Sequence, residues 1–253
     1  MRFSKKLSAL ALACTLALSG CASTSSSNDA LQGIDTDSVN PKLKSNEAHF
    51  FSKSGAQGCA TGALLGALAC IISDSDNKLA CAAIAGAAGC AVGLTANYVL
   101  DNVRANYSSI EEQQQATIAM VEQNLDYTKE LADSSKSVVL EDEKEIATIK
   151  ANIKKGTASV EDLKAKAKEM DENNKYLKAC IKKSQEDLNA YEGAAAELEK
   201  DVNSKQSIAK QQELDLKIAK TKQQLNALYE LSNEYAMSTN NLNKEINTLT
   251  KAG

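Results

Sequence analysis

Seven cysteines and one histidine are the most reactive side chains in this 253-residue sequence. The cysteines are Cys14, Cys21, Cys59, Cys70, Cys81, Cys90 and Cys180. A zinc site needs thiolates or imidazoles at short intervals, and none of these cysteines are two to four residues apart. His49 alone excludes a multi-histidine metal site and any catalytic pair of histidines. The run Asp74-Ser75-Asp76-Asn77 offers carboxylates, but Lys78 and Leu79 stand where a calcium loop needs an oxygen ligand and glycine. Glu141-Asp142-Glu143 has the composition of a solvated helix face. No phosphate-cradling loop, dinucleotide fingerprint or zincin motif occurs. Catalysis requires a positioned nucleophile, base or metal. The sequence therefore predicts a non-enzyme with no cofactor, no metal and no small-molecule substrate. A net charge of −4 gives no electrostatic basis for binding nucleic acid.

Cys21 differs from the others in its surroundings. Arg2, Lys5 and Lys6 make a positive start, and Leu7 to Leu18 form an apolar run too short to span a bilayer. Leu18-Ser19-Gly20-Cys21 follows. This segment resembles the signal peptide and lipobox of bacterial lipoproteins. The resemblance implies that residues 1–20 are removed and that Cys21 becomes the first residue, carrying covalent lipid of the palmitate class. The other reading is an ordinary secretory signal in which Cys21 is incidental. Ala22, rather than Asp, follows the cysteine. By the same resemblance the protein is expected in the cell envelope, lipid-anchored to the outer membrane and facing the periplasm.

The next residues predict a flexible lipidated tether over 21–54. It is rich in Ser, Asn and Asp, holds the only proline, Pro41, and shows no apolar period. Residues 55–100 change character. Gly55 to Ile72 and Leu79 to Leu100 carry no charge, and a polar turn separates them. Gly58, Gly62 and Gly66 recur every fourth residue, as do Gly89 and Gly93, with Gly86 nearby. Such glycines share a helical stripe and let a second backbone approach closely. GCATGALLGALAC and IAGAAGCAVG resemble the glycine-zipper two-helix segment of the rickettsial 17-kilodalton surface-antigen family. In an antiparallel hairpin, Cys59–Cys90 and Cys70–Cys81 would be nested pairs centred on the Asp74–Asp76 turn. Cys81 and Cys90 lie about half a turn out of phase, so that ladder needs Cys81 in a frayed first turn. Alternatively, the four are small buried hydrophobes.

Residues 101–253 read as a coiled-coil helical region. A first stripe begins at Leu100, Val103, Tyr107 and Ile110, then runs through Ile118, Val121, Leu125, Thr128, Ala132, Val139, Ile146, Ile149 and Ile153. Gly156 breaks it, and Ser159 with Asp162 makes a capping-box-like restart. Steps of three and four then continue from Val160 to Val202, and a second strict series runs from Leu214 to Leu249. Asn203-Ser204 marks a turn or stutter between them. The predicted fold class is all-α, a small Gly/Ala-rich hairpin plus long antiparallel coiled-coil helices. The last helix either returns to complete a bundle or continues as a rod. Asn174 and Ser184 read as polar seam residues that either set register and oligomer state or are tolerated imperfections, and Tyr191 and Tyr235 read as core or rim. Cys180 reads as a thiol or as an interchain disulfide. The functional expectation is a structural scaffold or adaptor that associates with itself or with another envelope protein. Its alternative is a hairpin that inserts in the membrane and oligomerises or forms a pore.

Overall fold

Apolar residues that alternate three and four apart cover only a narrow stripe of a helix, so each stripe needs other helices to close on. The computed structural model, which describes residues 31–45 and 94–252, supplies them. The described residues form four α-helices: α1 (Ala96–Asn106), α2 (Ile110–Lys154), α3 (Val160–Glu199) and α4 (Lys205–Ala252). No strand occurs among the described residues, and the fold is all-α.

Local chemistry fixes each boundary. Thr95 caps α1 by accepting the Tyr98 N–H at 3.2 Å. Ser109 and Glu112 form a reciprocal capping box that starts α2. Gly156 ends the α2 turn with φ +73°, donating to Ile153 O while Thr157 N–H donates to Asn152 O. This is the hydrogen-bond pattern of a Schellman motif, which favours glycine in the left-handed position. The Asp162 carboxylate accepts from both the Ser159 N–H (2.7 Å) and its hydroxyl (3.1 Å) at the start of α3. The last turn has no glycine. Ser204 accepts the Ser207 N–H at 2.9 Å, and its hydroxyl donates to Glu111 Oε1 at 2.6 Å.

Contacts between helices give their directions. Glu111–Ser204, Gln114–Gln211, Glu122–Lys217 and Lys150–Glu245 advance together, so α2 and α4 run parallel. Thr128–Ser184 and Asp142–Lys166 progress oppositely, as do Asn174–Ser232 and Glu192–Lys222. The helix α3 is therefore antiparallel to both, and α4 returns along it to complete a three-helix bundle. The continuing-rod alternative does not hold.

Two elements cover the groove between α2 and α3. The first is α1, whose Val99, Leu100 and Val103 are buried in the main core. It can lie close because position 193 has no side chain: a Cβ there would sit 2.6 Å from Ala96 Cβ. Gly193 thus has a packing role that outweighs its poor helix propensity. The second is residues 31–45, two 3-10 turns (Thr36–Ser38 and Pro41–Lys44) from which Val39 and Leu43 enter the core, each 2% exposed. A flexible tether over 21–54 is therefore corrected for residues 31–45, which form a docked strap. Val39 and Leu43, four residues apart, seat it together with the partly buried Leu31 and Ile34. The expected boundary at 100/101 also moves, because α1 runs through it.

The supporting helices bury more than one stripe. Besides the seam of Leu163, Ala167, Met170, Leu177, Ile181, Leu188, Tyr191, Ala195 and Leu198, α3 buries Asn173, Tyr176, Cys180, Asp187, Ala190 and Ala194. That second column faces a groove that α1 and the strap fill. By contrast, α4 buries a single strict series from Ser207 to Ile246.

Candidate functional site

The apolar core is divided. A large cluster surrounds Val121, Leu177, Leu188 and Leu228, and a smaller one surrounds Ile146, Leu163, Met170 and Leu242. Near their junction lies a buried polar network drawn from all three long helices and from the strap.

Lys166 of α3 is at its centre, 5% exposed. Its ammonium lies 2.7 Å from Asp142 Oδ1 and 2.7 Å from Glu145 Oε2, both of α2, and 3.1 Å from Glu169 Oε1. The Asp142 contact is an ion pair within the buried core. Asp142 is only 1% exposed, and its other oxygen accepts the hydroxyl of Tyr235 from α4. Tyr235 in turn accepts from Asn173 Nδ2 at 3.2 Å. The amide of Asn173 then points out to the strap, where its Oδ1 accepts the Asn40 N–H at 2.7 Å. Next to it in sequence, Glu172 accepts the Asp35 N–H at 2.8 Å and is held by Lys175. Lys42 pairs with Glu141, and Lys168 reaches Asp35 at 3.3 Å. A continuous path of polar contacts thus connects strap, α3, α4 and α2.

Further polar layers follow toward the N-terminus of α2. Ser232 donates to Asn174 at 2.7 Å, Ser184 donates to Asn124 at 2.9 Å and meets Thr128 at 3.0 Å, and Gln114 donates to Gln211 at 3.0 Å. A buried polar group that finds a partner in only one alignment fixes register, because a shift leaves it unsatisfied. Of the two readings open for Asn174 and Ser184, their buried contacts favour register setting. Tyr191 and Tyr235 are fully core residues. Asp142 corrects the reading of Glu141-Asp142-Glu143 as surface: its neighbours are exposed while it faces inward. Its phase was visible, four residues after Val138 and four before Ile146. Cys180 is a buried thiol, 0% exposed in the core, which removes the interchain disulfide reading.

Burial sets the proton affinities. It raises Tyr107 to about 12, with Glu112 assisting, and raises Tyr191 beside Asp187. Burial and the Asp142 carboxylate raise Tyr235. For Lys166 burial disfavours the charge, but Asp142, Glu145 and Glu169 outweigh it and hold the ammonium above the ordinary lysine range. All four bind their protons more tightly folded than unfolded. Their stabilisation is complete below about pH 10, where unfolded tyrosine and lysine begin to titrate, and is lost as pH rises through the folded values. On the acid side Glu112 is lowered by the Ser109 N–H and hydroxyl, and Asp35 by the Ser38 hydroxyl and Lys168. Those contributions are present above about pH 4 and are lost as pH falls. The melting temperature is expected to stay level between about pH 5 and 9 and to drop above about pH 10. Phenolate absorbance from the three tyrosines should appear together with loss of the helical circular-dichroism signal. Full ionisation with the helices intact would contradict this.

Two shallow grooves mark the surface. One of about 400 Å³ lies over Tyr127, between Glu122, Asp126 and Glu130. Another of about 330 Å³ lies between α3 and α4, beside Glu192, Asp215 and Lys222. Among the described residues, no cluster of three or more His, Cys, Asp or Glu side chains could hold a metal. No helix there is long and apolar enough to cross a membrane. Cys21, the cysteines expected as Cys59–Cys90 and Cys70–Cys81, and the packing glycines Gly58, Gly62, Gly66, Gly86, Gly89 and Gly93 lie outside the described residues. No family model, curated protein or solved structure matches this chain.

Proposed function

We propose that this chain is a non-catalytic lipoprotein of the bacterial envelope, anchored to the outer membrane through lipid on Cys21 and acting as a structural scaffold or adaptor. The observation that carries the reading is the strap. Its first hydrogen bond to the bundle, from the Asp35 N–H to Glu172, comes 14 residues after Cys21, a maximum span of about 50 Å. A lipid on Cys21 would then hold a bundle whose α2 alone, with 45 residues, extends about 68 Å. Buried charges and paired amides suit a part that must keep one shape. Long exposed helix faces suit contact with other proteins.

A second reading rests on the uncharged runs within 55–100. In it that segment inserts in a membrane as a glycine-zipper hairpin that oligomerises. Membranes carrying a Cys21→Ala variant, washed with alkaline carbonate, separate the two. Release of the variant with retention of the parent supports a lipid as sole anchor. Retention of both supports insertion of the hairpin.

A further inference from the structure

The strap and α1 pack on α2 and α3, whereas α4 meets the bundle along one seam and turns its other side to solvent. Four large apolar side chains stand on that side: Ile208, Leu216, Tyr229 and Met237, at 48%, 54%, 59% and 65% exposure. A single exposed leucine carries little information. Here the spacing does. Ile208 and Tyr229 each directly follow a seam residue, and Leu216 and Met237 each lie two beyond one, so the four occupy two consecutive heptad positions, about 100° apart around the helix. The interval from Ile208 to Leu216 equals that from Tyr229 to Met237. Reversing the helix about a point between Lys222 and Gln223 therefore lays Ile208 over Met237 and Leu216 over Tyr229. A pattern that matches itself on reversal is what a two-fold interface requires.

We propose that α4 pairs antiparallel with α4 of a second copy of this chain, about a two-fold axis between Lys222 and Gln223. The same rotation sets Ala209 against Ala236, Gln212 against Asn233, and Ala219 against Asn226, all uncharged. Like charges meet where Asp215 faces Glu230, and Lys222, opposite Gln223, lies one residue out of step with Lys222 of the second copy, although Lys222 also pairs with Glu192 within its chain. Salt screens such repulsions, so association strengthens as ionic strength rises. The overlap from Lys205 to Asn240 is about 54 Å long and one helix wide, roughly 500 Å² on each copy. That is near the lower limit for a specific interface, so pairing is concentration-dependent.

Amine-reactive crosslinking in intact envelopes tests the register, because a peptide joined to its own copy can only come from two molecules. The expected products are Lys222 joined to Lys222 and Lys205 joined to Lys244. In a Leu216→Glu, Tyr229→Glu variant the Lys222 self-link should fall at least about tenfold, while links within one chain and helix content stay unchanged. Absence of the Lys222 self-link in the parent protein, or its persistence in the variant, overturns the proposal. A self-link that weakens as salt is added also overturns it.

Discussion

Asp142→Leu is expected to lower the unfolding free energy by about 3–5 kcal/mol, the range for removing one partner of a buried ion pair. The substitution leaves Lys166 buried with Glu145 and Glu169, both more exposed than Asp142, and takes away the acceptor of the Tyr235 hydroxyl. The two remaining carboxylates favour the lower part of the range. Adding Lys166→Met and Tyr235→Phe to Asp142→Leu should recover most of the loss. Replacing a buried ion pair and its hydroxyl together by apolar groups is often neutral or stabilising, while replacing one member leaves charges and hydroxyls unsatisfied; Tyr235→Phe also takes the acceptor from Asn173 Nδ2, which keeps the recovery short of complete. Urea denaturation followed by far-ultraviolet circular dichroism measures both. A triple variant less stable than the single one would show that these groups act independently of one another.

Replacing Val39 and Leu43 together by aspartate should release the strap while α2, α3 and α4 stay folded. Each apolar side chain contributes about 1.5–3 kcal/mol by its burial, so losing both shifts docking by more than about a hundredfold. Placing carboxylates in an apolar groove weakens docking further. The seams among the three long helices do not depend on the strap. Hydrogen exchange at Asn40, whose N–H donates to Asn173, reports docking directly. The parent should be protected there and the variant unprotected, with limited proteolysis cutting within 31–45. Lys42→Gln serves as a control, because its half-exposed pair with Glu141 is worth little. A protected Asn40 in the double variant, or a bundle that unfolds with its strap, would contradict the expected independence.

The features visible in the sequence were those that repeat. The seam of α4 holds its strict alternation from Ser207 to Ile246 because α4 packs along only one line. Gly156 and the Ser159–Asp162 pair locate a turn by their own hydrogen bonds, without tertiary help. The break before α2 has the same signature, Ser109 with Glu112, yet the stripe running from Val103 through Tyr107 to Ile110 masks it. The second buried column of α3 is less legible because Asn173, Cys180, Asp187, Ala190 and Ala194 are small or polar and raise no hydrophobic signal. Asp142 is disguised by acidic neighbours. The strap is too short to show a period, and its seating depends on a groove made by residues lying 95 to 137 positions later.

The most direct test of the account is the chemical state of the first residue of the mature protein. Intact-mass and N-terminal peptide analysis of protein purified from envelopes should find Cys21 at the start, with fatty-acyl mass attached to it. An unmodified Cys21, or a first residue elsewhere in the leader, would contradict a lipid-held helical bundle.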